Sequence, residues 1–261
     1  MRFLGPFGII FATLAMIVGF ISEGGHISSL IAPSAALIVI GGTVGATIVG
    51  YSTDEILSIP KLLVTAINKE IPAYHQAIEE IIKLSDQARR EGLLYVDNQL
   101  DDIADPFLKK GMQLVVDGTD PEMVRNILET EMLFTHERHE TGASIFDSAG
   151  GYSPTMGIIG TVMGLVHVLG SIDDPDSLAP AIAMAFAATL YGVGAANVVF
   201  LPIAARLKNI GKKELILREL QIEGILALQA GYNPVLLREH LNAFLKHSTT
   251  PRRGTEGDYY E

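Results

Sequence analysis

"YSPTMGIIGTVMGLVHVL", residues 152–169, runs 18 residues without a charge, yet holds one proline, three glycines, two threonines and a histidine. A helix that only had to sit in lipid would be leucine and valine. Glycines at 157, 160 and 164 have the small-residue spacing that lets two helix backbones touch inside a bilayer. Gly41 and Gly45 repeat the four-residue spacing in a second apolar stretch, and Ala181, Ala185, Ala188, Gly192 and Ala195 form a small stripe in a third. Three such stripes predict extensive helix–helix contact, including contact with other chains.

Outward from this stretch the chain is built from uncharged runs. Residues 3–22, 28–53, 148–172 and 177–205 contain no Asp, Glu, Lys or Arg. Each reaches the roughly 20 residues that a helix needs to cross about 30 Å of hydrocarbon. Over 261 residues, 48% are hydrophobic and only 19% charged, with a mean hydropathy of +0.32. Soluble domains carry about a quarter charged residues. The predicted fold class is therefore all-α: a polytopic membrane protein with four transmembrane helices (3–22, 28–51, 150–171 and 177–205) and a cytoplasmic helical insertion at 52–147. A helical cytoplasmic tail is expected over 206–248 and a disordered C-terminus over 249–261.

Orientation follows from the basic residues. All 19 Lys and Arg lie at Arg2, within 54–147 or within 206–261, and none lies in the connections 23–27 and 173–176. The excess of Lys and Arg on cytoplasmic loops places both termini and the insertion inside and both short connections outside. The first span has a short basic start, but its apolar stretch is long for a secretory signal and no A-x-A-like site follows, so it is read as retained. The chain has no cysteine, which excludes disulfides and thiolate metal sites. A net charge of −11 argues against nucleic acid as a partner.

The insertion reads as amphipathic helices. One spans "DEILSIPKLLVTAINKE" with Pro60 near its start, another "YHQAIEEIIKLSDQARREG", which Gly92 ends, and a third "DPFLKKGMQLVVDGTD". Asp120 with Pro121 is the start signal of a charged helix over 122–147 that runs on into the third span. The tail from Arg206 to Gln229 continues the fourth span, and Asn233 caps a closing helix. No internal repeat is visible, which separates the chain from inverted-repeat transporters.

No nucleotide-loop, zincin or nucleophile-elbow pattern is present, so no enzyme and no cofactor is expected. The informative absence is acidic. Moving a cation through lipid needs a carboxylate or equivalent charge at depth, and the four spans have none. They offer Thr155, Thr161, Thr189, Tyr191, Asn197 and one imidazole, His167, near the outer end of its span. Thr161 and Thr189 have oxygens suited to a partly dehydrated cation; the plain alternative is a hydroxyl bonded to the carbonyl one turn back. Pro154 and Pro202 sit near cytoplasmic ends of spans, as boundary markers or as hinges. "ARREG" and "DNQLDDIADP" mix charge signs within one segment, as a solvated face or a docking surface does.

"GGYSPTMGIIGTVMGLVHVLG", an acidic turn and "AIAMAFAATLYGVGAANVVFLPIAARLK", preceded by "RREGLL" and "DPFLKKGMQLVVDGTD", resemble the flagellar stator A subunits of the MotA/PomA type, within the MotA/TolQ/ExbB superfamily. The resemblance extends over nearly the whole chain. It implies a homopentamer of A subunits in the bacterial inner membrane, surrounding two helices of a B-type stator subunit that carry the ion-binding Asp. Cation flow of Na⁺ or H⁺ then turns the ring, whose cytoplasmic face engages the flagellar rotor switch protein. By the same resemblance Pro154 and Pro202 are the coupling prolines, and Thr161, Thr189 and Ala188 lie on the ion pathway. Arg90 is the rotor-contacting base and Asp97 fills a nearby position that is often Glu. A threonine at 161 goes with sodium in this family, whereas Ala188 stands where sodium units often have a second threonine, so the ion stays open between Na⁺ and H⁺. A TolQ/ExbB-type energy-transducing subunit is the alternative, but that group typically has three spans. A channel acting alone, or a passive scaffold, fits the absent carboxylate or the prolines less well.

Overall fold

The computed structural model describes residues 4–69, 74–170 and 175–249, whose regular structure is all helix with no strand among them. They form two compact units. One holds residues 4–69 and 138–211, the other 74–137 and 212–249. The all-α, polytopic class expected from the sequence is the class observed. The compact unit around the spans takes in residues 52–69 and 138–147 as well, which the sequence assigned to the insertion.

In the first unit, α1 (Leu4–Ser22) has 19 uncharged residues and rises about 28 Å at 1.5 Å per residue. Three longer segments are long and apolar enough to cross a membrane: Ile27–Val49, Pro121–Gly170 and Leu178–Gln229. The second span, expected to be helical from 28, becomes a continuous helix only at Pro33 and runs to Val49 (α2, 33–49), with a π-helical stretch at Leu37–Gly41. Ile27–Leu30 is a 3₁₀ turn, and Ile31 and Ala32 are non-helical. Pro33 then opens α2, with a ring that fixes φ and no N–H to satisfy. Non-helical backbone at membrane depth needs partners. The Tyr191 hydroxyl supplies them: it donates to the Leu30 carbonyl and accepts from the Ala32 N–H at 3.0 Å.

Past α2, Ser52 and Glu55 form a reciprocal capping box. The single helix expected over 54–70 is two, Thr53–Leu57 and α3 (Ile59–Asn68), because Pro60 has no N–H to offer the Ile56 carbonyl. In the second unit, α4 (Tyr74–Glu91) ends at Gly92, whose φ of +90° only glycine adopts readily. α5 (Pro106–Val116) follows, then α6 (Pro121–Gly170), an uninterrupted helix of 50 residues that continues into the third span as expected. α7 runs from 175 to 229 through a π-helical stretch at Ala195–Phe200. α8 (Pro234–Thr249) closes the unit. The expected caps are in place: Asp120 accepts from Glu122 N–H and Asn233 from Val235 N–H, both at 2.9 Å. The C-terminus expected to be disordered lies outside the described residues from 250 onward, as do residues 171–174 of the outer connection.

The core of the second unit gathers Ile81, Leu108, Met112, Leu128, Ile225 and Leu241. A polar clamp fixes α5 onto α7. Asp105 caps α5 by accepting from the Phe107 and Leu108 N–H groups, and the Arg218 guanidinium donates to both of its oxygens at 2.7 and 2.9 Å. Arg218 also lies 4.7 Å over the Phe107 ring and donates to Gln221. Burial pushes the Asp105 carboxyl up, but the charge and hydrogen bonds of Arg218 outweigh it and leave the group below its ordinary value.

Asp105→Ala leaves the Arg218 guanidinium with Glu214, 3.7 Å away, as its remaining acid and removes a helix cap, a loss of about 3 kcal/mol. Amide exchange in α5 should accelerate about 100-fold. In the wild type, the contribution is complete above the ordinary Asp value and disappears as pH falls through the lowered folded one. Unchanged exchange in the variant at neutral pH refutes the clamp.

Candidate functional site

The glycines of the third span pack against the fourth span of the same chain. A methyl group on Gly192 would stand 2.6 Å from the Ser153 carbonyl oxygen and 2.9 Å from Gly157 Cα; one on Gly157 would stand 2.9 Å from the Ala188 oxygen. Gly160 lies under Ala188 and Gly164 under Ala185 in the same way. The third-span glycines and the Ala185, Ala188 and Gly192 part of the fourth-span stripe thus pack on one another within the chain. The Gly41 and Gly45 stripe differs, with nothing within 4 Å of either added methyl. Ser153, fully buried, seals the contact by donating to the Gly192 carbonyl at 2.9 Å.

This register brings Thr161 and Thr189 together. The Thr161 hydroxyl lies 3.0 Å from the Gly157 carbonyl one turn back and 3.0 Å from the Ala185 carbonyl across the seam, and it is hydrogen-bonded to the Thr189 hydroxyl. The plain back-bonding role and the cross-helix one therefore coexist. Proton counting is instructive: two hydroxyls bring two protons to a group of four oxygens, and each carbonyl only accepts. One Thr161 proton cannot serve both carbonyls at full strength. The group is acceptor-rich, the composition a hard cation prefers. Ala188, the third expected pathway residue, is 1% exposed and sits in the packing seam against Gly160.

The turns that hold the two prolines touch through Gly150 and Leu201. Pro154 lies inside α6 and has no N–H for the Gly150 carbonyl; Gly150 in turn packs on Leu201, the residue before Pro202. The strain that Pro202 would place on an ordinary helix is taken up by the π-helical stretch, where Leu201 N–H reaches five residues back to Ala196. Thr155 and Asn197 are exposed and bonded to the carbonyls of Tyr152 and Val193, and His167 is exposed. Nothing in the residue pattern marks Ser153 as a lock, and Tyr191 stands out there only as one hydroxyl among several.

In the second unit, Arg90 stands exposed in the last turn of α4 and Asp97 exposed at the end of the short helix Leu93–Asp97, on either side of the Gly92 turn. Arg90 is not a lone cation. Asp86, one turn earlier, accepts from its Nε and Nη2 at 3.0 Å each, a pairing that the four-residue spacing allows.

Residues 6–92 match the motility protein A N-terminal family and residues 99–219 the MotA/TolQ/ExbB proton channel family. Motility protein A of Bacillus subtilis (strain 168) is 39% identical over 244 residues, covering 91% of this chain and 88% of the relative. Among solved structures, C. jejuni MotAB superposes with a TM-score of 0.90 at 29% identity over 98% of this chain and 100% of the matched one. The flagellar MotAB stator complex of Bacillus subtilis gives 0.86 at 38% identity over 93% and 95%. An all-helical membrane protein with a threonine-lined seam and no carboxylate in its spans thus finds its class: the chain belongs to the MotA/TolQ/ExbB proton channel family, and within it to the motility protein A type, the A subunits of flagellar stators.

Gly192→Ala drives a methyl into backbone atoms that cannot rotate away, whereas Gly194→Ala enters open space. The first should destabilise the span pair by about 1–3 kcal/mol and sharply reduce the amount of folded protein recovered in detergent; the second should not. Equal recovery of both variants removes the seam from the account.

Proposed function

We propose that this chain is the ion-conducting, torque-generating A subunit of a flagellar stator, working as a ring of five around two helices of a B-type partner. The observation that carries this reading is the acceptor-rich oxygen group at Thr161 and Thr189 in spans that bring no carboxylate of their own. The partner contributes the membrane Asp. Thr161 and Thr189 line the route by which Na⁺ or H⁺ reaches it, and Ala188 sets the spacing beside them. Pro154 and Pro202 let the span pair flex as the partner carboxylate gains and loses its cation. Arg90 and Asp97 meet the rotor switch protein. The distribution of Lys and Arg supports a bacterial inner-membrane location with both termini cytoplasmic. The match of residues 6–92 favours the motility branch over a TolQ/ExbB-type role.

Reconstituted alone, the chain should pass no cation, while vesicles that also hold a single-span B-type partner should conduct. Flux from this chain by itself overturns the assignment. In the conducting pair, Thr161→Ala should raise the sodium concentration needed for half-maximal flux, and Thr189→Ala should reduce flux more severely. If the wild type follows the proton gradient and ignores sodium, the unit is proton-driven and Thr161 is reduced to a packing residue.

Arg90→Glu should abolish swimming and leave the stator complex assembled, since an exposed pair such as Arg90–Asp86 contributes at most about 1 kcal/mol to stability. Loss of the assembled complex would make Arg90 structural.

A further inference from the structure

Between α1, the first half of the second span and the π-helical stretch of α7 lies a groove of about 650 Å³, within the roughly 300–1,000 Å³ of sites that hold small molecules. Its walls carry no charge: Met16 and Phe20 come from α1, Leu30 and Ile40 from the second span, Val198 and Val199 from α7. Gly19 and Gly194 line it from opposite walls, and a methyl added to either would meet nothing within 4 Å. Interiors are close-packed, so an opening of this size calls for an occupant.

Three observations identify it. The first is chemistry. Two side-chain hydroxyls line the groove, and both protons are spent elsewhere: Thr13 donates to the Ile9 carbonyl at 2.9 Å and Tyr191 to the Leu30 carbonyl. A trapped water needs about two to four polar partners, so the groove suits an apolar guest. The second is extent. On α1 the lining begins at Thr13, the middle of Leu4–Ser22, and runs only toward the connection at 23–27; on the second span it stops at Ile40, the middle of 33–49. The groove thus serves one half of the span depth. A helix from another chain has to run through the whole of about 30 Å of hydrocarbon, whereas a phospholipid acyl chain ends at the bilayer midplane. The third is continuity. Met16, Ile40 and Val199 are exposed at the groove, and beside them Phe11, Leu14 and Val18 stand exposed on the uncharged α1.

We propose that this groove holds one acyl chain of a membrane phospholipid, taken from the leaflet on the side of the 23–27 connection. The headgroup stays outside, since the walls offer no charge to select one. The methylenes supply the packing that α1 lacks against α7, at the wide turn Ala195–Phe200 ahead of Pro202. This requires only that the protein spans a membrane, and it stands or falls apart from the ion and rotor assignments.

The test counts and maps lipid. The full protein, assembled with its B-type partner, is extracted into mild detergent, washed until loosely held lipid is gone, and weighed by native mass spectrometry. One phospholipid per A subunit should remain, whether phosphatidylcholine, phosphatidylethanolamine or phosphatidylglycerol of equal chain length is supplied. Gly194→Leu and Gly19→Leu, which fill the groove from opposite walls, should each lose it, while Gly41→Leu, equally open but outside the groove, should keep it. In the washed wild type, a phosphatidylcholine with a diazirine at the end of its acyl chain should label the mid-span lining around Thr13 and Ile40, a readout that does not depend on the variants folding. No lipid retained by the wild type, equal retention in all four proteins, or labelling confined to residues outside the groove overturns the proposal. Loss of subunit assembly in both filling variants, with no lipid in the wild type, assigns the groove to another protein chain instead. Retention that follows the headgroup makes the headgroup the ligand and likewise overturns it.

Discussion

The seam between the third and fourth spans is the constraint on which the rest of this membrane unit depends. Lipid tails are as apolar as leucine, so helices inside a bilayer gain little by hiding side chains from them. Association comes from close packing and from hydrogen bonds, and both need the backbones to approach. Gly157 and Gly192 make that approach possible; added methyl groups there would meet backbone atoms at 2.9 Å or less. Once the backbones touch, Ser153 can reach the Gly192 carbonyl and Thr161 the Ala185 carbonyl. The glycines thus set the separation at which these short polar side chains cross from one helix to the other.

This arrangement explains why a chain that handles cations can leave every carboxylate out of its spans. An ionised carboxylate at bilayer depth is costly without a partner charge, and packed into the seam it would have none. Hydroxyls and carbonyls carry only partial charges, so the seam tolerates them whether or not a cation is near. With no carboxylate in its spans, this chain folds without an unpaired ion at bilayer depth.

Much of this was legible in the residues themselves. Uncharged runs marked the spans, because charge is so poorly tolerated in hydrocarbon. Gly92, Asp120 and Asn233 marked helix ends, because their backbone and side-chain chemistry is local. The features that were not legible depend on a partner elsewhere in the chain. A small-residue stripe shows that a helix will be approached closely, not by which neighbour, so Gly157, Gly160 and Gly164 meet the fourth span where contact with other chains was expected as well. Tyr191 serves a break at residues 30–32 that lies about 160 positions away in sequence. The late start of α2 at Pro33 and the division at Pro60 follow from prolines, which have no N–H to give and whose rings disfavour the helical region at the residue before them.

The wide turn at Ala195–Phe200 resolves a conflict between two local demands. Pro202 disrupts an ordinary helix, since it withholds a hydrogen bond and its ring presses on the carbonyl four residues back, that of Val198. A helix in lipid has no water with which to repair that loss. Inserting a π-helical stretch ahead of the proline shifts the donors by one residue, so that Leu201 N–H finds Ala196. The span stays continuous as far as Gln229 while its geometry changes locally. On the facing helix, the Gly150–Gly151 pair precedes Pro154 and Gly150 receives Leu201. Pro202 thus sits beside a compensating irregularity, whereas α6 stays an unbroken helix through Pro154. The residues just ahead of the two prolines meet across one seam, Gly150 against Leu201.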